Sequence, residues 1–148
     1  MSKHDLLPLA VSRRVRDACL CLHVQRAARA LARHFDQALA PVGLTNGQFS
    51  LLLALNRAEA PGIGSVAALL AMDRTTLTAM LKPLARRGLV SVTVDAADRR
   101  VRRLSLTPAG RSVLASAVPL WERAHAETER LLDGSDANRL RADLKALS

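Results

Sequence analysis

Residues 65–111 read SVAALLAMDRTTLTAMLKPLARRGLVSVTVDAADRRVRRLSLTPAGR, and the fold turns on how they are patterned. The stretch predicts a short apolar helix, a turn, a longer helix and two alternating segments joined by an arginine-rich tip. Ser65 is placed to cap the first helix and Asp73 the second, since a side-chain oxygen there accepts an N–H left unpaired in a first turn. Leu77, Met80, Leu81 and Leu84 recur at helical spacing and make one buried face. Thr75, Thr76, Thr78, Ala79 and Lys82 are left outward, small or polar with one cation, which suits a helix entering a DNA major groove. Pro83 lies inside this helix, where it removes the bond to the Ala79 carbonyl and predicts a bend. Gly88 ends the helix. Leu89–Asp95 and Val101–Thr107 then alternate apolar and polar with period two, and DAADRR lies between them. A helix-turn-helix running straight into strand, charged tip and returning strand is a winged helix-turn-helix.

Charge falls on the same stretch. Nine basic residues between Arg74 and Arg111 face only Asp95 and Asp98, a local net charge of +7 out of the chain's +9. Concentration of one sign on one surface is the electrostatic footprint of a polyanionic partner. Helix, hairpin and charge together point to double-stranded DNA. A basic helical adaptor docking acidic proteins is the alternative, because charge alone does not separate DNA from acidic protein.

The sequence LxxMDRTTLTxMLKxLxRRGLV followed by DxxDRRVRRLSLTPAGR resembles the DNA-binding lobe of the MarR family of bacterial transcriptional regulators. The wing pattern is matched by Asp95, Asp98, Arg99, Arg100, Leu104, Leu106, Thr107 and Gly110, and the similarity extends from about Cys19 to the C-terminus. It implies a mainly α fold with a small β-hairpin wing. It also implies one domain over 1–148, with residues 45–107 as DNA-binding lobe and 15–40 and 108–148 as dimerisation helices. On that reading Arg74, Thr75, Thr76, Thr78 and Lys82 contact the major groove. Arg99, Arg100 and Arg102 reach the minor groove or its phosphates, and Asp98 orients a wing arginine. The implied protein is a homodimeric repressor on a pseudo-palindromic operator, released by a small effector.

Outward from the lobe, the chain reads as helices. It is half apolar (49%) but only 2% aromatic, with Phe35, Phe49 and Trp121 and no tyrosine. A core of Leu, Val and Ala therefore favours packed helices over a large sheet. Residues 1–12 predict a loose arm containing Pro8. Val15–Ala40 predicts one long helix bounded by Pro41 and Gly43; at 1.5 Å per residue it spans roughly 39 Å and is apolar on more than one side, so a partner chain is expected to cover it. Thr45 and Gln48 form a T-x-x-Q capping box, with Leu44 and Phe49 as hydrophobic staple. Thr107 caps a helix with Pro108 at its first position that runs to about Leu132, with a second bend at Pro119. Ser135 is placed to cap a last helix whose Leu140, Leu144 and Leu147 make one stripe.

Other chemistry is poorly supported. There is no Gly-rich phosphate loop, no G-x-S-x-G and no H-E-x-x-H, so an enzyme is not expected, and neither is a cofactor. Cys19 and His23 share a helix face, but a zinc site needs three or four ligands, so no metal is expected. No stretch has the length of a membrane span and no export signal is visible, which predicts a cytoplasmic protein that binds no membrane. The C-x-C pair Cys19 and Cys21 diverges on a helix and does not predict a mutual disulfide. Cys21 resembles in place the sensing cysteine of the family's organic-hydroperoxide sensors, though Gln25 and Phe35 stand where those have tyrosines. Family members also bind aromatic ligands between dimer body and DNA-binding lobe, which implies a pocket for a small aromatic effector at His23, Phe35, Phe49, Trp121 and His125.

Overall fold

A computed structural model describes residues 6–148, and the chain divides into two compact units, 1–33 and 34–148. In the first unit, helix α1 spans Leu9–Ala18 and helix α2, Leu20–Leu39, begins there and ends in the second. This corrects both the loose arm over 1–12 and the uninterrupted helix from Val15; residues 1–5 of the expected arm lie outside the described residues. Pro8 supplies the start. Its carbonyl accepts from Val11 N and Ser12 N, and a proline ring already holds the φ that a helix entry needs. Cys19 supplies the break: its backbone is extended (φ −71°, ψ 107°), and its thiol accepts the N–H of Leu22 at 3.4 Å, so the sulfur caps α2. The apolar pattern runs on through Cys19, which is why periodicity joins the two helices into one.

In the second unit α2 ends at buried Leu39 and passes through a 3-10 turn, Ala40–Val42, into Gly43 at φ 71°. Helix α3, Asn46–Ala54, opens with the expected capping box: Gln48 N donates to Thr45 Oγ1 (3.2 Å) and Thr45 N to Gln48 Oε1 (3.1 Å). Helix α4 (Ile63–Leu69) starts at Gly62 and not at Ser65, so the expected serine cap is absent. Gly62 is instead tied to the wing, since Leu104 N donates to Pro61 O (2.9 Å) and Gly62 forms an isolated bridge with Arg103. Helix α5, Arg74–Arg86, is capped by Asp73 and continues through Pro83.

Strands β1 (Val90–Val94) and β2 (Arg102–Leu106) pair antiparallel, Val90 opposite Leu106 and Val94 opposite Arg102. This register puts Val90, Leu104 and Leu106 on the buried face. Thr107 then caps α6, Pro108–Arg130, with Pro108 at its first position, and the helix runs through Pro119. Helix α7, Ala137–Ala146, follows left-handed Gly134, but its cap is Asp136 and not Ser135: Asp136 Oδ1 accepts from Asn138 N and Arg139 N. Among the described residues no helix is long and apolar enough to cross a membrane.

The core of the second unit is mostly leucine, with valine, alanine and Phe49 between. Leu39, Leu51, Leu52, Val66, Leu77, Leu84 and Leu104 are fully buried, and they come from α2, α3, α4, α5 and β2. Each such side chain contributes about 1.5–3 kcal/mol by leaving water. Leu77 and Leu84 thus clamp the inner face of α5 to the core, which fixes which face of that helix points out.

Candidate nucleic-acid interface

With Leu77, Leu81 and Leu84 buried, α5 turns Arg74, Thr75, Thr76, Thr78 and Lys82 to the surface, and all five are exposed. The helix start is rigid. Asp73 accepts from Thr76 N (2.7 Å) and from the Thr76 hydroxyl (2.8 Å), and these bonds hold its carboxyl below the usual carboxylate range. The hydroxyl of Thr76 is therefore committed to the cap, so of the expected contacts Thr75, Thr78 and Lys82 are the freer polar groups. Arg74, first in the helix, lays its guanidinium against Gly64 of α4.

The wing is braced by two carboxylates. Asp98 Oδ1 accepts the Arg100 backbone N–H (3.0 Å) and lies 3.3 Å from Arg100 Nε. Asp95, which the sequence placed in the wing pattern without a role, does as much: it accepts from Asp98 N (3.1 Å) and from Arg103 Nε (3.3 Å), and these bonds lower its pKa. Arg102 Nη1 donates to Arg99 O (2.9 Å), so Arg102 closes the tip from within. Arg99 and Arg100 project from that closed tip, both exposed. Surface ion pairs of this kind add little stability. Their effect is geometric, because they set where the cations point.

The residues expected to line an effector pocket are only partly brought together. Trp121 stacks between His125 (4.6 Å) and Phe49 (6.3 Å), a continuous aromatic column joining α6 to α3. Phe35 instead stands edge-on to His34 at 5.6 Å. His23 belongs to the first unit, where its Nδ1 lies 2.7 Å from the Cys19 carbonyl. A cleft of about 310 Å³ does open beside α6, lined by His34, Gln37, Ala38, Leu120, Arg123, Ala124 and Glu127, none of them among the five expected. His34 Nε2 sits 3.3 Å from both Ala124 O and Glu127 Oε2 across it.

Cys19 and Cys21 both carry free thiols. Cys21 is exposed and accepts from Gln25 Nε2 at 3.4 Å. Among the described residues no group of three His, Cys, Asp or Glu could hold a metal ion.

Sequence reasoning missed Gly64, the pairing of Asp95 with Arg103 and the Arg87 Nη1 bond to Gly43 O (2.7 Å) that ties the end of α5 to the turn after α2. The first and last join segments far apart in sequence and leave no local signal.

Comparison with known proteins bears on this surface. The sequence profile of the MarR family matches residues 44–101. Transcriptional regulator HosA of Escherichia coli O127:H6 is 41% identical over 86 residues, 57% of this chain and 62% of HosA, so the chain spans just under two thirds of that relative. The Mycobacterium tuberculosis transcriptional regulator MosR, solved in complex with DNA, superposes with a TM-score of 0.78 at 41% identity over 87% of this chain and 92% of MosR. The transcriptional repressor CouR, bound to a 23-mer DNA duplex, gives 0.73 at 33% identity over 90% and 92%. CouR from Rhodococcus jostii RHA1 bound to p-coumaroyl-CoA gives 0.74 at 26% identity over 88% and 92%.

Proposed function

The chain belongs to the MarR family, and from that membership we propose that it is a DNA-binding transcriptional regulator, a homodimeric repressor released from a pseudo-palindromic operator by a small effector. One observation carries the reading. The buried leucines of α5 turn its threonines and Lys82 outward on the same lobe whose wing presents exposed Arg99 and Arg100, Arg100 braced on Asp98 and the Arg99 carbonyl tied to Arg102. In this reading Arg74, Thr75, Thr78 and Lys82 meet the major groove, with Thr76 holding the helix start. Arg99 and Arg100 take the adjacent minor groove or its phosphates, and Arg102 supports them.

Exposed apolar side chains supply the case for a dimer. In the first unit Val15, Leu20 and Leu31 stand exposed, and in the second Leu131, Leu140, Leu144 and Leu147 do. Faces of this kind are covered in an oligomer, and two-fold pairing of two reading helices requires half-sites about one helical turn apart. Hydroxyl-radical footprinting on DNA upstream of the chain's own gene tests the arrangement. It should give two protected stretches in that spacing; unprotected DNA with retained binding to acidic proteins would favour the adaptor.

For release, we take a small aromatic effector acting at the Phe49–Trp121–His125 column, by analogy with CouR, which is solved with p-coumaroyl-CoA. Trp121 is the chain's single tryptophan, so its fluorescence reports binding there directly. A second reading rests on Cys21, exposed and hydrogen-bonded by Gln25, as a thiol whose oxidation releases DNA. Cys21→Ser keeps DNA affinity in either case. Only a peroxide response that disappears in this variant supports the thiol.

A further inference from the structure

Gly64 is the second residue of α4, and its backbone gives no reason for glycine. The left-handed glycines are Gly43, Gly88 and Gly134, and Gly64 is not among them. Glycine inside a helix is disfavoured relative to alanine, so something other than conformation keeps the position bare. A Cβ there would stand 2.6 Å from Arg74 Nη2, 3.4 Å from Cζ and 3.6 Å from Nε. Those are three atoms of one guanidinium. The cation that opens α5 therefore rests on the uncovered first turn of the preceding helix.

The other crowded glycines have different reasons. Gly110 is pressed against the backbone of Leu89, and Gly43, which also meets an arginine, needs glycine for its positive φ in any case. Gly47 meets only Met80, whose Cε would lie at 3.2 Å. At Gly64 alone would a methyl come within 3.0 Å of a side chain, and what it meets is the far end of a long, flexible and exposed arginine. An alanine at 64 is thus accommodated by swinging Arg74 aside, with no movement of backbone. Its consequence falls on whatever Arg74 touches.

We propose that Gly64 is a specificity-determining residue that acts through Arg74: the bare helix turn is a seat that fixes the guanidinium in one orientation, so that its forked N–H pair presents to a guanine edge. This rests on the reading of α5 as the helix that enters the major groove. An arginine carries many rotamers, and a free one must be ordered on binding. A seated one is ordered beforehand, and its planar fork matches the paired acceptors O6 and N7 of guanine. The seat contributes direction and the charge is unchanged by it, so it governs discrimination between sequences more than overall attraction to DNA.

The test uses the full chain and a duplex that the wild-type protein selects from a random pool, against a scrambled duplex of equal length. Gly64→Ala should lower the ratio of the two affinities about tenfold, with an unchanged slope of log K against log salt, because the cation is retained. Its melting temperature should equal or exceed that of the wild type. In an Arg74→Ala background the same change should have no further effect. Full discrimination by Gly64→Ala, while Arg74→Ala loses it, would overturn the seat alone. An equal cost of Gly64→Ala with and without Arg74 would overturn it too, as would a salt slope reduced by about one, which would mean an arginine drawn off a phosphate. Wild-type discrimination by Arg74→Ala would refute the base contact itself, an outcome distinct from failure of the seat.

Discussion

Gly110 shows how much a single atom decides. The first turn of α6 passes the start of β1 so closely that a Cβ at 110 would overlap the Leu89 carbonyl oxygen and lie 3.0 Å from its carbon. That carbonyl also accepts from Thr107 N at 3.1 Å, so neither side has room to yield. Gly110→Ala is expected to cost about 2–3 kcal/mol, seen as a lower urea midpoint at constant slope; a wild-type midpoint would contradict the packing. Asp36 works by charge. Its Oδ1 accepts the backbone and side-chain N–H groups of Asn46, each at 2.7 Å, and these bonds hold its carboxyl below the usual range. A depressed carboxyl stabilises the fold above its unfolded pKa of about 3.9 and loses that effect as pH falls through the folded value. The stability gap between wild type and Asp36→Ala should therefore be full at neutral pH and close progressively below about pH 4; a gap independent of pH would remove the charge from the interaction. Among single residues, the sequence disclosed what acts locally. Thr45 with Gln48, Asp73 with Thr76, and Thr107 with Pro108 lie within three residues of their partners, and all three caps form. Asp36 and Asn46 are ten residues apart and belong to different helices, so nothing in either neighbourhood announces the pair.

The elements divide along the same line. The hairpin was legible because alternation of period two sets register and face together, and the strands lie within the segments so read. The boundary at Cys19 was not, because a cysteine in an apolar run looks like more helix until its sulfur is seen taking an N–H. The start of α4 was misplaced for a tertiary reason: Pro61 and Gly62 are held by β2, so the helix begins where the chain leaves the wing. The wing itself yields a prediction at this scale. Arg100 projects from a tip whose own bonds close it from Asp95 to Val101, so its loss should leave the hairpin standing. Arg100→Ala should weaken operator binding and reduce the salt slope by about one. An unchanged slope would take the wing out of the interface. Of the five residues expected at an effector pocket, Phe49, Trp121 and His125 form one aromatic cluster and Phe35 packs edge-on against His34, contacts that periodicity alone does not disclose.

For the molecule as a whole, the two most telling quantities are a net charge of +9, of which +7 falls on one stretch, and the number of large apolar side chains left exposed. Helix α7 shows that exposure in its simplest form, with no buried residue and with Leu140 and Leu144 exposed, as is Leu147 at its C-cap. Replacing Leu140 and Leu144 with glutamate should halve the mass seen by sedimentation equilibrium while leaving helical content intact, and should abolish tight operator binding. A variant that stays dimeric would place the pairing surface elsewhere. The central claim, that this lobe reads duplex DNA, is tested most directly by the affinity of the purified protein for its own upstream intergenic DNA against scrambled duplex, at two salt concentrations, with and without cumene hydroperoxide. The account predicts selective binding by a dimer that weakens steeply with salt; loss on oxidation that disappears in Cys21→Ser would assign release to that thiol, and indifference to oxidant would remove the thiol from the release step. Equal affinity for both duplexes at both salts would contradict the account.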